Sequence, residues 1–399
     1  MKYCIIIPDG VADYKLEKLG GRTPLEAART PNLDDISFNG RLGLVTNTPR
    51  GLPPGSDVAT LSVLGYDPKS YYTGRAPLEA VNLGIKLGET DWAVRCNLVT
   101  VNNNTDILED FSAGHISNEE AKLIISVLNE NLANYSIKFY QGKSYRNIMV
   151  YKGSTELKAK CTPPHDITGK SVIHNLPKGE GSKVLIDLMK RSYSILSKHE
   201  VNKVRIDLGE NPANMIWLWG QGKRPSLPTF KEIYGLSGAV ITAVDLLKGL
   251  AIYLDWDIID VPGATGYFDT NYAAKAEYAI EALEKYEIVL VHVEAPDEAG
   301  HEGNIHEKIR AMENIDEKII GPVHDALKKH GEFRMLILPD HYTPIPEKTH
   351  TPEPVPFAIY GTDSNKKSKL PFSESNAAQT GLKIKMGYKL MGHFIKGDI

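Results

Sequence analysis

Metal-binding side chains occur in this chain directly after runs of apolar residues, and this placement constrains its fold more than any other feature. The side chains that follow the apolar runs at 5–8, 288–293 and 335–339 are Asp9, Asp297, His301, Asp340 and His341. Buried strands of a parallel sheet read as nearly continuous apolar runs, and ligand sites lie outside the carboxyl ends of such strands. The sequence therefore predicts a parallel sheet with these distant residues gathered at one edge.

The wider pattern of elements agrees with an α/β fold. Strands are predicted at 3–8, 251–255, 287–293, 333–339 and 356–360. Helices are predicted between them at 238–250, 271–285 and 304–330. Strands that alternate with helices indicate a mostly parallel sheet flanked by helices.

The middle of the chain has a different texture. Short alternating runs surround a helix that begins near Ser117, and another predicted helix at 181–198 precedes a strand-like stretch at 203–208. This pattern is typical of an α+β unit with an antiparallel sheet. Because residues of one predicted site come both before and after it, the middle is interpreted as an insertion. The predicted domains are a discontinuous core, 1–75 with 229–399, and an inserted domain, 76–228.

The acidic and histidine side chains at the strand ends favour a metal site. With His350 in a Thr- and Pro-rich loop, the set contains three carboxylates and three imidazoles. Such a mixed set suits Mn²⁺, Co²⁺ or Zn²⁺ better than Ca²⁺, which prefers oxygen ligands alone. Taken singly, an aspartate after a strand is often only the N-cap of the next helix, and the spacing of Asp297 and His301 is common on helix faces. The combination carries the interpretation.

Ser56 is the candidate nucleophile. It follows Pro53-Pro54-Gly55 and precedes a predicted helix at about 57–64, whose N-terminal dipole would favour a negative charge or a phosphoryl group. Coordination to a divalent metal would stabilise the serine alkoxide without an adjacent histidine base. The alternative, that Ser56 is simply the N-cap of this helix, remains open.

Composition excludes several other classes of function. The net charge of −4 argues against nonspecific nucleic-acid binding, which depends on excess positive charge. No apolar run reaches the length of a membrane span or of a signal-peptide core. The three cysteines form no CxxC pair, which fits a reducing compartment. We therefore expect a cytoplasmic protein with no membrane or nucleic-acid partner.

Several motifs together resemble a known family. They are Pro8-Asp9-Gly10, Gly55-Ser56-Asp57, Asp297-x-x-x-His301, Pro339-Asp340-His341 and Thr349-His350-Thr351-Pro352. This set resembles the alkaline-phosphatase superfamily and, more closely, the archaeal type of cofactor-independent phosphoglycerate mutase. The resemblance extends over nearly the whole chain, including 29–33, 72–77, 95–100 and 219–225.

The resemblance implies a fold, an activity and a cofactor. The fold would be an alkaline-phosphatase-like core with an inserted cap domain that binds substrate and acts as a lid. Two divalent metal ions, Mn²⁺ first and Co²⁺, Zn²⁺ or Mg²⁺ as alternatives, would serve an isomerase that interconverts 3-phosphoglycerate and 2-phosphoglycerate through a phosphoserine, without 2,3-bisphosphoglycerate. One metal would be held by Asp9, Ser56, Asp340 and His341, and the other by Asp297, His301 and His350.

The inserted domain should carry cations for the carboxylate and phosphate of a small anionic substrate. The resemblance points to Arg95 and His115, and the further candidates are Arg146, Lys223 and Arg224. Asp166 could exchange protons with the glycerate hydroxyls. The bacterial long form of the mutase has an Arg-Asp pair for this task, whereas this chain has His165 before Asp166.

Other functions remain open from the sequence alone. They are a metal-dependent phosphomonoesterase, a mutase of another small phosphorylated metabolite, a homoserine-kinase-like enzyme, for which no ATP site is visible, and a metal-bound protein without catalysis. The sequence also leaves the oligomeric state open, a homo-oligomer included.

Overall fold

The computed structural model describes residues 1–102, 104–364 and 366–399. They form two compact units, one made of 1–72 with 226–399 and the other of 73–225. We call them the core unit and the inserted unit. The domain borders predicted from sequence, 75/76 and 228/229, lie close to these borders, and the substrate-binding role of the inserted unit stays a prediction.

The strands are numbered in chain order. They are β1 (Lys2–Pro8), β2 (Arg41–Val45), β3 (Trp92–Val101), β4 (Leu108–Asp110), β5 (Ile137–Lys143), β6 (Arg146–Tyr151), β7 (Met215–Lys223), β8 (Gly238–Ile241), β9 (Asp257–Ile258), β10 (Ile288–Val293), β11 (Phe333–Ile337), β12 (Val355–Gly361) and β13 (Lys383–Ile384).

The helices are numbered in the same way. They are α1 (Pro24–Ala27), α2 (Pro31–Asn39), α3 (Ser56–Val63), α4 (Pro68–Tyr71), α5 (Ala76–Asn82), α6 (Asn118–Leu132), α7 (Ser182–Leu196), α8 (Glu200–Asp207), α9 (Phe230–Tyr234), α10 (Asp245–Tyr253), α11 (Tyr272–Lys285), α12 (Ala295–Glu302), α13 (Ile305–Ile315), α14 (Gly321–His330), α15 (Glu374–Gln379) and α16 (Leu390–Lys396). A π-helical segment, Asp316–Ile320, joins α13 to α14.

The core unit is built on one sheet with the strand order β13-β2-β12-β11-β1-β10-β8-β9. All neighbouring strands are parallel except β12, which is antiparallel to both β11 and β2. Alternate residues of β1 enter different apolar clusters, Cys4 and Ile6 in one and Ile5 and Ile7 in the other. Since successive side chains of a strand point to opposite faces, both faces of the sheet are covered. The predicted α/β class with a mostly parallel sheet is confirmed.

The inserted unit has a mostly antiparallel design. Strand β3 pairs with β4, β6 and β7, and β6 pairs with β5, all antiparallel. Helices α6 and α7 contribute Ile124, Leu128, Leu185 and Leu188 to its apolar cluster. The Ser117 hydroxyl accepts a hydrogen bond from Glu120 N and caps α6, which begins where the sequence predicts a helix.

Three element predictions are wrong. The stretch 238–250, predicted as helix, begins with β8, and the predicted strand 251–255 is largely the end of α10. A short apolar run does not by itself distinguish a buried strand from a buried helix. The strand-like stretch 203–208 belongs mostly to α8, where Asn202 and Arg205 face inward and Leu208, directly after the helix, is exposed. Here the polar residues are the buried ones, so the alternation of apolar residues misleads.

No helix among the described residues combines the length and apolar character needed to cross a bilayer.

The buried carboxyl of Glu374, the first residue of α15, is expected to make the stability of the protein depend on pH. It accepts hydrogen bonds from Asp13 N (3.1 Å) and the Thr23 hydroxyl (2.8 Å). Burial, which these hydrogen bonds only partly offset, raises the pKa of Glu374 to about 7. The folded protein thus holds this proton more tightly than the unfolded chain. Its contribution to stability is complete below the unfolded pKa and is lost as the pH rises to about 7.

Urea unfolding of the parent chain and of Glu374→Gln at several pH values tests this expectation. The side chain of the glutamine variant stays neutral at every pH. Its free energy of unfolding minus that of the parent should therefore increase between about pH 4.5 and 7 and stay constant above pH 7. A difference that stays constant across this range would contradict the assignment.

Candidate active site

The order of the sheet brings the predicted site residues of the core unit together. Strands β11, β1 and β10 are parallel neighbours, so their carboxyl ends share one edge. Asp9 directly follows β1, Asp297 lies in α12 just after β10, and Asp340 follows β11. The apolar runs thus place these aspartates side by side, because each run is a strand of the same sheet and the polar residue comes where it ends.

The first group consists of Asp9, Asp340 and His341, and all three side chains are buried. His341 Nε2 lies 3.4 Å from Asp9 Oδ1 and 3.4 Å from Asp340 Oδ2. Its Nδ1 lies 3.3 Å from the carbonyl oxygen of Tyr342. Burial lowers the pKa of His341, so its ring is neutral near pH 7. With the proton on Nδ1, the lone pair of Nε2 is free to bind a cation that lies between the carboxylates of Asp9 and Asp340.

The electrostatics of this first group fit a bound cation. Asp340 Oδ1 accepts hydrogen bonds from Gly10 N and His341 N, whereas its Oδ2 and Asp9 Oδ1 are buried and find no hydrogen-bond donor among the described residues. Burial, together with the charges of Asp340 and Asp297, raises the pKa of Asp9 well above its usual range. Two buried carboxylates with orphaned oxygens are costly unless positive charge lies between them. A divalent metal would supply that charge.

The second group consists of Asp297, His301 and His350, and its imidazoles are oriented by backbone carbonyls. His301 Nδ1 donates to Lys348 O (3.0 Å), and His350 Nδ1 donates to Pro54 O (2.9 Å). Carbonyl oxygens only accept, so both Nδ1 atoms carry protons and both Nε2 atoms are left to coordinate. This arrangement of the outer hydrogen bonds is usual for histidines that bind metals.

The coordinating atoms of the second group converge closely. The two Nε2 atoms are 3.0 Å apart, and His301 Nε2 lies 3.2 Å from Asp297 Oδ2. Burial lowers the pKa of His301, but the hydrogen bond to Asp297 and its charge outweigh burial and raise it to about 9. Without a metal ion, a proton therefore occupies this space. The donor set of one carboxylate and two imidazoles fits a transition metal of the Mn²⁺ to Zn²⁺ series.

Ser56 joins the first group, and the two groups adjoin. The Ser56 hydroxyl lies 3.1 Å from His341 Nε2, and the rings of His341 and His350 have centroids 4.1 Å apart. Ser56 is the first residue of α3, whose N-cap is Gly55, and no side chain caps this end. The alternative reading of Ser56 as an N-cap is therefore wrong, and its hydroxyl is available for chemistry.

In the inserted unit, Arg95 is buried within β3. Its guanidinium lies 4.2 Å from the ring centroid of Trp219, and Nε is 2.9 Å from Glu79 Oε2. Burial lowers the pKa of Arg95 to about 10, against the opposing effect of Glu79. Arg95 thus remains a cation near pH 7, held in place by an acid and an aromatic ring.

Two other predicted residues of this unit, Arg146 and His115, are linked by aromatic contacts, and a third, Asp166, lies beside a histidine of the same cluster. The Arg146 guanidinium lies 5.2 Å from the ring centroid of Tyr145, and the His115 ring is 6.1 Å from the same ring. His165, which precedes Asp166, packs edge to face on Trp219 with centroids 5.7 Å apart. Asp166 Oδ1 lies 3.7 Å from His165 Nε2. Phe111 contacts both Tyr145 and His165 and so connects these rings into one cluster.

The two remaining predicted cations lie elsewhere in the inserted unit. Lys223 forms a 2.6 Å ion pair with Glu156 and lies opposite Trp92 in the register of β7 and β3. Arg224 is exposed just after β7. Their roles in substrate binding stay predictions.

Sequence reasoning missed side chains that surround the first group. His292 is fully buried in β10, with Nε2 3.0 Å from Asp9 Oδ2 and Nδ1 3.3 Å from the Thr242 hydroxyl. Burial lowers the pKa of His292 to about 4, so it is neutral near pH 7. A polar residue inside the apolar run 288–293 was the available signal. Thr343, whose hydroxyl lies 3.2 Å from His341 Nδ1, and Lys308, which donates to Thr343 O, stood out by no pattern in the sequence.

Comparison with known proteins agrees with this geometry. A profile of the 2,3-bisphosphoglycerate-independent phosphoglycerate mutase family matches residues 38–202. A protein of that name from Methanothrix thermoacetophila is 52% identical over 398 residues, which covers 100% of both chains. A probable enzyme of the same name from Geobacter sulfurreducens is 46% identical and covers 98% of each chain.

Solved structures give the same picture. A Pyrococcus horikoshii protein of 29% identity superposes with a TM-score of 0.81 over 100% of this chain and 98% of its own. A cofactor-independent phosphoglycerate mutase from Thermoplasma acidophilum, 27% identical, has a TM-score of 0.66 and 99% coverage of both chains. Full-length identity of this degree leaves one assignment: the chain belongs to the 2,3-bisphosphoglycerate-independent phosphoglycerate mutase family.

Proposed function

We propose that this protein is an isomerase that interconverts 3-phosphoglycerate and 2-phosphoglycerate through a phosphoserine at Ser56, without 2,3-bisphosphoglycerate. The observation that carries the proposal is the position of the Ser56 hydroxyl, 3.1 Å from His341 Nε2, at the edge of two groups of metal-binding side chains. The names of full-length relatives favour a mutase over the phosphomonoesterase and homoserine-kinase alternatives.

The proposed site holds two divalent metal ions, with Mn²⁺ as the first choice. One would be held by Asp9, Ser56, Asp340 and His341, and the other by Asp297, His301 and His350. When bound, such ions stabilise a serine alkoxide and neutralise the phosphoryl oxygens. The orphaned oxygens of Asp9 and Asp340 and the paired Nε2 atoms of the two histidines support this assignment.

The chain's own residues divide the work of phosphoryl transfer. The deprotonated Ser56 Oγ attacks phosphorus, the bond from phosphorus to the substrate oxygen breaks, and that oxygen takes up a proton. The free glycerate turns, its other hydroxyl loses a proton and attacks the phosphoserine, and Ser56 is released. No water is consumed. Asp166 is proposed to give and take the hydroxyl protons.

The inserted unit is proposed to hold the glycerate while it turns. Arg95, His115 and Arg146, which are linked through Trp219, Phe111 and Tyr145, would bind its carboxylate and phosphate, and Lys223 and Arg224 are further candidates. Exclusion of water from the phosphoserine would separate this mutase from a phosphatase. A cytoplasmic location completes the proposal.

The decisive experiment is ³¹P NMR of the Mn²⁺-loaded protein with 3-phosphoglycerate. Appearance of the 2-phosphoglycerate signal without inorganic phosphate supports the mutase. Release of inorganic phosphate as the main product would replace it with the phosphomonoesterase.

Substitution of Arg95 by alanine is expected to raise the ratio of hydrolysis to isomerisation. Loss of the anchor lets glycerate leave, so water reaches phospho-Ser56 more often. Inorganic phosphate and 2-phosphoglycerate are followed in one reaction, so no absolute rate is needed. Glu79→Gln is the matched control, because it removes the negative charge beside Arg95 while the guanidinium stays. An equal ratio in Arg95→Ala and the parent would make Arg95 a structural cation.

A further inference from the structure

The hydroxyl of Thr343 lies at the junction of the two groups of metal-binding residues. It donates a hydrogen bond to Asp297 Oδ1 and lies 3.2 Å from His341 Nδ1. A hydroxyl has one proton, and an ionised carboxylate only accepts. The proton therefore goes to Asp297, and the oxygen of Thr343 accepts from the Nδ1 proton of His341, which also lies within reach of Tyr342 O (3.3 Å). One side chain thus contacts a residue of each group.

This hydrogen bonding has a consequence for both groups. A proton held on His341 Nδ1 leaves Nε2 with its lone pair toward Asp9, Asp340 and Ser56. At Asp297, the hydrogen bond occupies one lone pair of Oδ1 and fixes the rotation of the carboxylate. Hydrogen bonds of this kind usually orient the residues that bind a metal.

The surrounding backbone leaves Thr343 little room to move. Gly10, with φ +58°, has no Cβ, and a Cβ there would collide with Thr343 Oγ1 and Asp297 Oδ1. A Cβ at Gly300 would collide with Thr343 O. Two glycines from separate parts of the chain therefore allow the close approach that the hydrogen bonds need.

A buried ion pair holds the backbone of Thr343. Lys308 Nζ donates to Thr343 O (2.7 Å) and forms an ion pair with Asp13 Oδ2 (2.8 Å), and both side chains are completely buried. Asp13 also accepts a hydrogen bond from Ile345 N (3.0 Å). A buried lysine is costly unless its protons are used. Here they fix the loop that carries Thr343.

We propose that Thr343 is a positioning residue that couples the two metal sites, and that Lys308 with Asp13 anchors it. This inference rests on the proposed two-metal site and adds that loss of a single hydroxyl weakens the binding of both metal ions. A purely structural threonine would fill volume, which valine does equally well. The hydroxyl is what the proposed role requires.

The test compares Mn²⁺ binding in the metal-free parent, Thr343→Val and Thr343→Ser, with free Mn²⁺ measured by electron paramagnetic resonance. Thr343→Val should bind Mn²⁺ about 10- to 100-fold more weakly at both sites, as losses of such orienting hydrogen bonds do. Thr343→Ser keeps the hydroxyl and should restore most of the affinity. Because the valine methyl could press on Asp297, Thr343→Ala is a second variant with the same expected loss.

Two controls give the result its meaning. Thr60→Val removes another buried hydroxyl of the core unit, one with no hydrogen-bond partner among the described residues, and should leave both affinities unchanged. His350→Ala removes a member of one group only and should weaken mainly one site. Thermal melting of each metal-free variant shows that it folds.

The outcomes separate this inference from the proposed function. If the parent binds no Mn²⁺, the two-metal site itself is wrong. If the parent binds two ions and both Thr343→Val and Thr343→Ala bind them as tightly, or lose affinity at one site alone, the coupling role of Thr343 is wrong while the mutase proposal stands. Weakening at both sites with rescue by serine supports it.

Discussion

Ser56→Ala is expected to lower kcat for isomerisation by roughly three to six orders of magnitude, the range seen when a covalent nucleophile is lost. The Ser56 hydroxyl is the group that would carry the phosphoryl between the two glycerate oxygens. Because the helix is capped by Gly55 and the serine side chain caps nothing, its removal should leave α3 intact. Steady-state rates in both directions, with a melting curve for each protein, measure the effect.

Ser62→Ala is the matched control for this variant. Ser62 lies in the same helix, is fully buried, and its hydroxyl has no hydrogen-bond partner among the described residues. Its loss should leave kcat within a small factor of the parent. Rapid quenching of the parent with 3-phosphoglycerate, followed by peptide mapping, should find the phosphoryl group on Ser56. A phosphopeptide that contains a different residue would move the nucleophile there.

Much of the core unit could be predicted from sequence because strand and site are coupled. Asp9, Asp297 and Asp340 each come just after an apolar run, and the runs proved to be three neighbouring parallel strands. A parallel order puts the carboxyl ends on one edge, so position along the chain predicts position in space. The spatial proximity of these three aspartates was predictable because this one rule relates the sequence pattern to position in the sheet.

The rest depended on contacts that no local pattern encodes. Lys308 was simply one more charge in a predicted helix, yet its partners Asp13 and Thr343 come from loops that follow different strands. Lys223 was proposed as a substrate-binding cation without knowledge of its ion pair, because its partner Glu156 lies far away in sequence. The electrostatic meaning of a charged residue is fixed by its neighbours in space, and these become visible only in the folded chain.

Removal of divalent metal is expected to abolish isomerisation and to lower the stability of the core unit. Without a cation, the buried Asp9 and Asp340 lie close together with orphaned oxygens, and His301 holds an extra proton beside Asp297. Ser56 then lacks the divalent cation that would stabilise its alkoxide. Dialysis against a chelator should reduce activity to background, and Mn²⁺ or Co²⁺ should restore it.

Stability gives a second readout that does not depend on catalysis. A ligand that binds only the folded state at about 1,000 times its dissociation constant adds about 4 kcal/mol to the free energy of unfolding. The melting temperature should therefore rise with Mn²⁺ concentration in the parent and in Ser56→Ala, which keeps the Asp and His ligands, and rise less in Asp297→Asn. Full activity in a preparation shown by elemental analysis to be free of metal would contradict the two-metal proposal. The buried carboxylates would then need another explanation.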